Sequence, residues 1–380
     1  MPNRPTALLR ELAASGRYGN VVVVNRVRPG SALRSLVPSS QRRSGFFHAG
    51  PWPASRFRVD EPEHGPQRTV VEHPWPSGPL ESRFLHRLVA ATCMHSATTL
   101  WIADPMAARV LERLRRQPGL TTVFDCYDAW DLSPLIRGRY RQGAVRRGYM
   151  SAATSADVIF ANTSFLVDRF TALGARRCVL LPNACSAPQP SHPASEPYVT
   201  YVGRIHERFD VFLGLAVAEA LEREGGSATL QIAGPIEREP EGWSRLADHP
   251  RVHLLGAVSP NEAAVLVGGS RALLIPHTPS DYTRSQDAMK AWDALALGVP
   301  VITTSVPPAT SWPAGLATIT DDPASFASAV LAALTGLHDD QREARLEYAS
   351  RNRWRDRIEL AHEVLDGAAV GRAAGRAAGG

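Results

Sequence analysis

The stretch AMKAWDALALGVPVITT, residues 288–304, sets the class of the fold. Ala288, Ala291, Trp292 and Leu295 recur at helical spacing and make one apolar face. Gly298 then stops the helix, because glycine takes the left-handed cap conformation without penalty. Pro300 opens the run VPVITT, which reads as a buried strand. A helix, a glycine and a strand in so few residues form an αβ step, the repeating unit of a parallel sheet. The same helix carries Lys290, the single lysine among 42 basic residues. Asp293 lies three positions on and is its neighbour on the helix surface. Read alone, the two are either a surface ion pair or a phosphate-binding lysine beside an aspartate that accepts ribose hydroxyls.

Outward from this step the pattern repeats. Towards the carboxyl end of the chain, YVTYVG (198–203), ATLQIAG (228–234), RVHLLG (251–256), ALLIPH (272–277), VPVITT (299–304) and LATIT (316–320) read as strands separated by helical segments. The amino half gives NVVVVN (20–25), TVVEH (69–73), TLWIA (99–103), TTVFDC (121–126), ADVIFAN (156–162) and CVLLPN (178–183). Between the two series lies SAPQPSHPASEP, a proline-rich stretch with little that packs. We therefore expect an α/β protein of two Rossmann-like, doubly wound domains facing each other across a cleft. The expected boundaries are an amino-terminal domain over 1–186, a linker over 187–197 and a second domain over 198–345. An amphipathic helix pattern is read over 342–366, a terminal helical segment is assigned to 346–367, and the low-complexity 368–380 reads as a disordered tail.

Composition narrows the function classes. No run of about 18 uncharged apolar residues occurs and the start lacks a signal-peptide core, so a cytoplasmic chain is expected. Cys93, Cys126, Cys178 and Cys185 have no ligand-like spacing, which points to reduced thiols rather than zinc or disulfides. The net charge of +5 comes from arginine and is densest in LIRGRYRQGAVRRGY, residues 135–149. That patch is either a solvated helix face or a contact for an anionic partner, such as a phosphorylated acceptor or the inner membrane surface. No nucleic-acid motif accompanies it, and nucleic acid is not expected as a partner.

Three places carry candidate chemistry. YVGRIHERFD ends a strand on Gly203 and continues with Arg204 and Arg208, which reads as a diphosphate cradle or as a turn with two surface arginines. The helix after TPSDYTRS offers its positive end to an anion. DCYDAWD holds Asp125, Asp128 and Asp131 and has three readings: a metal-binding cluster, an acceptor-side base at Asp128, or a strand-end turn with solvated carboxylates. His48, His73, His95 and His206 are further candidate bases.

The region Tyr198–Thr304 resembles the donor half of GT-B fold glycosyltransferases, in particular family-4-like and teichuronic-acid-type enzymes. There a strand runs into GR, and a later helix reads P-x-K-x-x-E-Y-L-A-x-G-x-P-V. AMKAWDALALGVPV keeps Lys290, Ala296, Gly298, Pro300 and Val301, with Asp293 in place of the glutamate. Ser285 stands where many members have a second glutamate, and Ala184 where LLPNACS departs from their PNG. LWIADPMAARVLERL, VFDCYDAWDLSP and NRWRDRIEL are similar to amino-half and terminal-helix segments of the same enzymes. The resemblance implies that Gly203, Arg204, Arg208 and Lys290 hold a donor diphosphate and that Asp293 takes the ribose. Gly234, Pro235, Ala257 and Val258 would line the base pocket. It implies no metal and no cofactor other than the nucleoside diphosphate sugar as co-substrate, and a terminal helix that returns to the first domain. NRPTALLRELAASGRYGNVVVVN is similar to the family's first helix and second strand, so the first strand is expected to be missing from this chain. The implied activity is transfer of a hexosyl or pentosyl group to a lipid-linked, polysaccharide or antibiotic-precursor acceptor. The alternative is an inactive sugar-nucleotide-binding or polysaccharide-binding subunit.

Overall fold

The computed structural model describes residues 4–17, 20–26, 56–60, 67–73, 83, 85–87, 89, 98–115, 117–186, 196–335 and 341–377. Most of the proline-rich stretch expected as a linker, together with His48, His95 and Cys93, falls outside these residues.

The carboxyl-side domain is one six-stranded sheet, every adjacent pair parallel. Its strands are β8 (Tyr198–Val202), β9 (Thr229–Ala233), β10 (Val252–Gly256), β11 (Leu273–Ile275), β12 (Val301–Thr303) and β13 (Ala317–Ile319), in the spatial order β10-β9-β8-β11-β12-β13. All six fall where the sequence puts them. The order runs one way from β8 and then the other, so the crevice between β8 and β11 is the switch point at which a doubly wound sheet takes a ligand. The helices Val211–Glu224 and Pro323–Thr335 bury Val217, Leu221, Phe326 and Val330 on one face. The helix Met289–Leu297 buries Ala291, Trp292, Ala294 and Leu295 on the other. Gly298 caps that helix at φ 71°, as its sequence requires.

The amino-side half is less uniform. β4 (Thr98–Ile102), β5 (Leu120–Cys126), β6 (Val158–Ala161) and β7 (Cys178–Leu180) form a parallel four-stranded sheet. β1 (Asn20–Arg26) pairs in parallel with β3 (Gln67–His73), and β2 (Arg56–Asp60) joins β3 antiparallel. Among the described residues these three make a separate sheet. The antiparallel strand β2 has no counterpart in the strand pattern read from the sequence.

The carboxyl end corrects two expectations. Residues 342–366 are not one helix: Arg342–Ser350 ends, and Trp354–Ala377 begins after a break in which Cys185 N donates to Asn352 O at 2.8 Å. The break lets Arg353 N take Asp356 Oδ2 at 2.7 Å and turns the chain back across the molecule. The second helix then runs through the stretch read as a disordered tail as far as Ala377, where alanine and arginine favour helix and outweigh isolated glycines. Its Ala361, Val364 and Leu365 pack on Val123, Val158 and Phe160 of the amino-side sheet. Trp354 and Ile358 meet Ala7 and Leu8 of the helix Arg4–Ala14.

Candidate active site

Three neighbouring strands of the carboxyl-side sheet finish on glycines that lie against one another. Gly203 N donates to Ala233 O at 2.8 Å, and Gly234 N to Gly256 O at 2.7 Å. Gly203 and Gly234 have φ of 151° and 145°, a region that side chains rarely enter. A Cβ on Gly234 would stand 1.9 Å from Gly203 O, and one on Gly203 would stand 2.7 Å from Lys290 Nζ. The bare backbone thus forms a wall, and the one lysine reaches over its edge.

Lys290 Nζ lies 3.9 Å from the centre of the Tyr201 ring. It is buried and has no hydrogen-bond partner. Burial, and then the nearby Arg208 guanidinium, hold its pKa well below the usual lysine value. Arg208 donates through Nη1 to Gln286 Oε1 at 3.2 Å, while its buried Nε has no partner. Two histidines complete the basic cluster. His206 is pushed down to about 4 by burial and by Arg208 and Lys290, and His277 is also held low, chiefly by burial. Both rings are therefore neutral at pH 7. Tyr201 links the cluster by donating to Arg204 O at 3.0 Å, with its oxygen 3.5 Å from His277 Nε2. Leaving a buried basic nitrogen unpaired is costly, and the unpartnered Lys290 Nζ and Arg208 Nε are of the chemical type that an anion with several oxygens would satisfy.

Across from it stands Asp128, just beyond β5. Its Oδ1 accepts from Gln286 Nε2 at 3.2 Å. Burial raises its pKa to about 7, against the lowering effects of Gln286 and then Arg208. The other two carboxylates of the acidic stretch are spoken for. Asp125 is buried against Arg4 at 2.8 Å, and Asp131 pairs with Arg169 at 2.6 Å and with Arg146 at 3.3 Å. Asp128 alone of the three faces the donor-side residues. No group of three or more His, Cys, Asp or Glu side chains able to hold a metal occurs among the described residues.

The remaining expected site residues divide. Gly203, Arg208, Lys290 and Gly234 come together at the wall. Arg204 is 65% exposed and pairs with Glu237 Oε1 at 2.6 Å. Pro235 and Ala257 are exposed and Val258 half-buried on the loops after β9 and β10. Asp293 is not a surface partner of Lys290. It is buried, raised to about 7 by burial, and associated with Ser186 at the end of the amino-side domain, and its Oδ2 has no partner. His206 lies beside Arg208 and Lys290, and the side chain of His73 is outside the described residues.

Sequence reasoning missed Gln286, His277 and a buried chain that crosses the molecule. Arg4 Nη1 donates to Asn183 Oδ1 at 3.0 Å, Asn183 N to Asp287 Oδ2 at 2.5 Å, and Trp292 Nε1 to Asp287 Oδ1 at 2.7 Å. Asp287 is raised to about 6, mainly by burial. Ser285, where the resemblance expects a glutamate, accepts from Ala129 N at 2.9 Å and donates to Tyr282 O at 2.6 Å. The position reserved for a carboxylate is used here to join the two halves.

Several solved structures share this fold. A sucrose-phosphate synthase from Thermosynechococcus elongatus is 17% identical, with a TM-score of 0.62 over 95% of this chain and 91% of its own. HepE of Anabaena, solved with UDP-glucose, is 17% identical, with a TM-score of 0.58 over 78% of this chain and 86% of that one. The pneumococcal O-GlcNAc transferase GtfA, solved with UDP and GlcNAc, is 13% identical, with a TM-score of 0.55 over 78% and 61%. The fold is GT-B. Residues 196–336 match the family model described as Glycosyl transferases group 1. No curated protein matched.

Proposed function

We propose that this chain is a glycosyltransferase that takes a sugar from a nucleoside diphosphate donor. The observation that carries the reading is the pair of buried basic nitrogens without partners, Lys290 Nζ and Arg208 Nε, beside a wall that admits no side chains. A diphosphate would satisfy both and neutralise the charge that develops on it as the glycosidic bond breaks. Asp128 faces this site and would accept the acceptor hydroxyl proton in an inverting transfer. The unpartnered Oδ2 of Asp293 suits a ribose hydroxyl as donor. The complexes of HepE and GtfA with UDP species support a uridine donor.

The acceptor side favours an anionic acceptor. Arg137, Arg139, Arg141 and Arg147 are exposed, with Tyr140 and Met150 exposed among them. Such a face suits a lipid-linked polysaccharide precursor at a membrane surface, or a phosphorylated soluble precursor of an antibiotic. No helix among the described residues is long and apolar enough to cross a membrane, so the lipid contact would be peripheral. The use of Ser285 as a bridge favours one other reading, a subunit that binds the donor without turning it over.

Melting temperatures in the presence of UDP, GDP, dTDP and their sugars test the donor class, since a ligand selective for the native state stabilises it by mass action. A rise with one base and none with AMP is expected, and no rise with any nucleoside diphosphate removes the proposal. Slow hydrolysis of the stabilising sugar nucleotide separates a transferase from a binding subunit.

A further inference from the structure

Gln286 touches both groups that the proposed reaction uses. Its Oε1 accepts from Arg208 Nη1 at 3.2 Å on the donor side, and its Nε2 donates to Asp128 Oδ1 at 3.2 Å on the acceptor side. A carboxamide has one accepting and one donating end. Turned over, it would aim its NH2 at a guanidinium and its oxygen at a carboxylate, so its two neighbours fix its direction. The backbone on both sides is fixed as well. Ser285 is held by Ala129 N and Tyr282 O, and Asp287 by Asn183 N and Trp292 Nε1. The amide therefore cannot follow one partner without leaving the other.

We propose, resting on the transferase reading, that Gln286 is a positioning residue that transmits occupancy of the diphosphate site to Asp128. A diphosphate that engages Arg208 takes the hydrogen bond Gln286 now receives and cancels the guanidinium field at Asp128. The carboxylate then holds a proton more readily at the moment an acceptor hydroxyl must lose one. Arg208, Arg4, Asp287, Tyr282, Tyr127 and Cys126 are the titratable and charged groups around Asp128, and of these only Arg208 belongs to the donor cluster.

Calorimetry of UDP binding at pH 7, in two buffers of unlike ionisation enthalpy, counts the protons taken up. Lys290, His206 and His277 contribute in every variant, so the difference between wild type and Asp128→Asn isolates Asp128. That difference is expected to be up to about half a proton, because Asp128 is poised near pH 7 before binding. Gln286→Leu and Gln286→Met remove the contact that lowers Asp128, so its carboxyl shifts towards the protonated form in the free protein. Both should show the Asp128→Asn uptake at pH 7 and stay there up to about pH 9, whereas return of the wild-type increment at higher pH would mean that the Arg208 field acts on Asp128 without Gln286 and overturns the proposal. Wild-type uptake at pH 7 in either variant, or no difference between wild type and Asp128→Asn, overturns the coupling and leaves the transferase reading intact. Loss of UDP binding in both Gln286 variants at unchanged melting temperature would make the residue a donor ligand and also overturn it. If wild type binds none of UDP, GDP or dTDP, the transferase reading fails and this inference with it.

Discussion

At the scale of single residues, Lys290 has a role that arginine would fill poorly. An ammonium is a compact charge on a flexible stem, whereas a guanidinium needs a planar approach, and Lys290 Nζ sits 2.7 Å from the place a Gly203 Cβ would take. Lys290→Ala should weaken UDP binding by about 1.5–3 kcal/mol, the range of a charge-assisted hydrogen bond. Because the chain has no other lysine, an amine reagent reaches only Lys290 and the α-amine, and UDP should slow labelling at Lys290. Equal labelling with and without nucleotide would remove Lys290 from the site. Gly234→Ala should cost at least about tenfold in UDP affinity, since its Cβ meets Gly203 O with no room to yield. Asp128→Asn should lower turnover by about a hundredfold with UDP affinity little changed, and near wild-type turnover would favour a retaining mechanism. A base poised near 7 works only when ionised, so wild-type kcat/KM should fall as the pH drops below about 7. Lys290 was legible because it is unique in the sequence. Gln286 and His277 were not, because an isolated glutamine or histidine gains its meaning only from what the fold sets opposite it.

At the scale of elements, the strands of the donor half were legible almost to the residue, because each is a short apolar run closed by glycine or proline. What held the two halves together was not, since its members lie far apart in sequence. Arg4 is 2% exposed and Asp125 fully buried, and their ion pair continues through Asn183 to Asp287. Removing one partner of a buried pair typically costs about 3–5 kcal/mol. Arg4→Ala should therefore lower the midpoint of denaturant unfolding strongly, while Arg17→Ala, at an exposed pair with Asp366, should leave it nearly unchanged. Comparable losses in the two variants would show that the buried chain does not hold the halves. The split of the last two helices was equally hidden. Residues 342–366 keep one amphipathic period, and the break follows from the bond between Cys185 N and Asn352 O, a tertiary event.

At the scale of the whole molecule, the cleft stores uncompensated charge, and stability should report it. Asp293 has a folded pKa of about 7, raised by burial above the ordinary aspartate value near 3.9. A raised carboxyl pKa adds stability that is complete at pH below about 4 and is lost as the pH climbs through about 7. Asp293→Asn should accordingly melt a few degrees higher than wild type at pH 8 and no higher at pH 4, where about 1 kcal/mol moves a large domain by roughly 2–4 °C. An equal difference at both pH values would mean that Asp293 is paired in the folded state. The doubled-back terminal helix bears on a different practice, the making of chimeras. A splice placed in the proline-rich stretch would leave Trp354–Ala377 with the donor half, although Val364 and Leu365 pack on Val123 and Phe160 of the other parent. It would also part Ser285 and Asp287 from Ala129 and Asn183. An exchangeable donor module therefore ends near Ser350, and its recipient must supply both the first 186 residues and the closing helix.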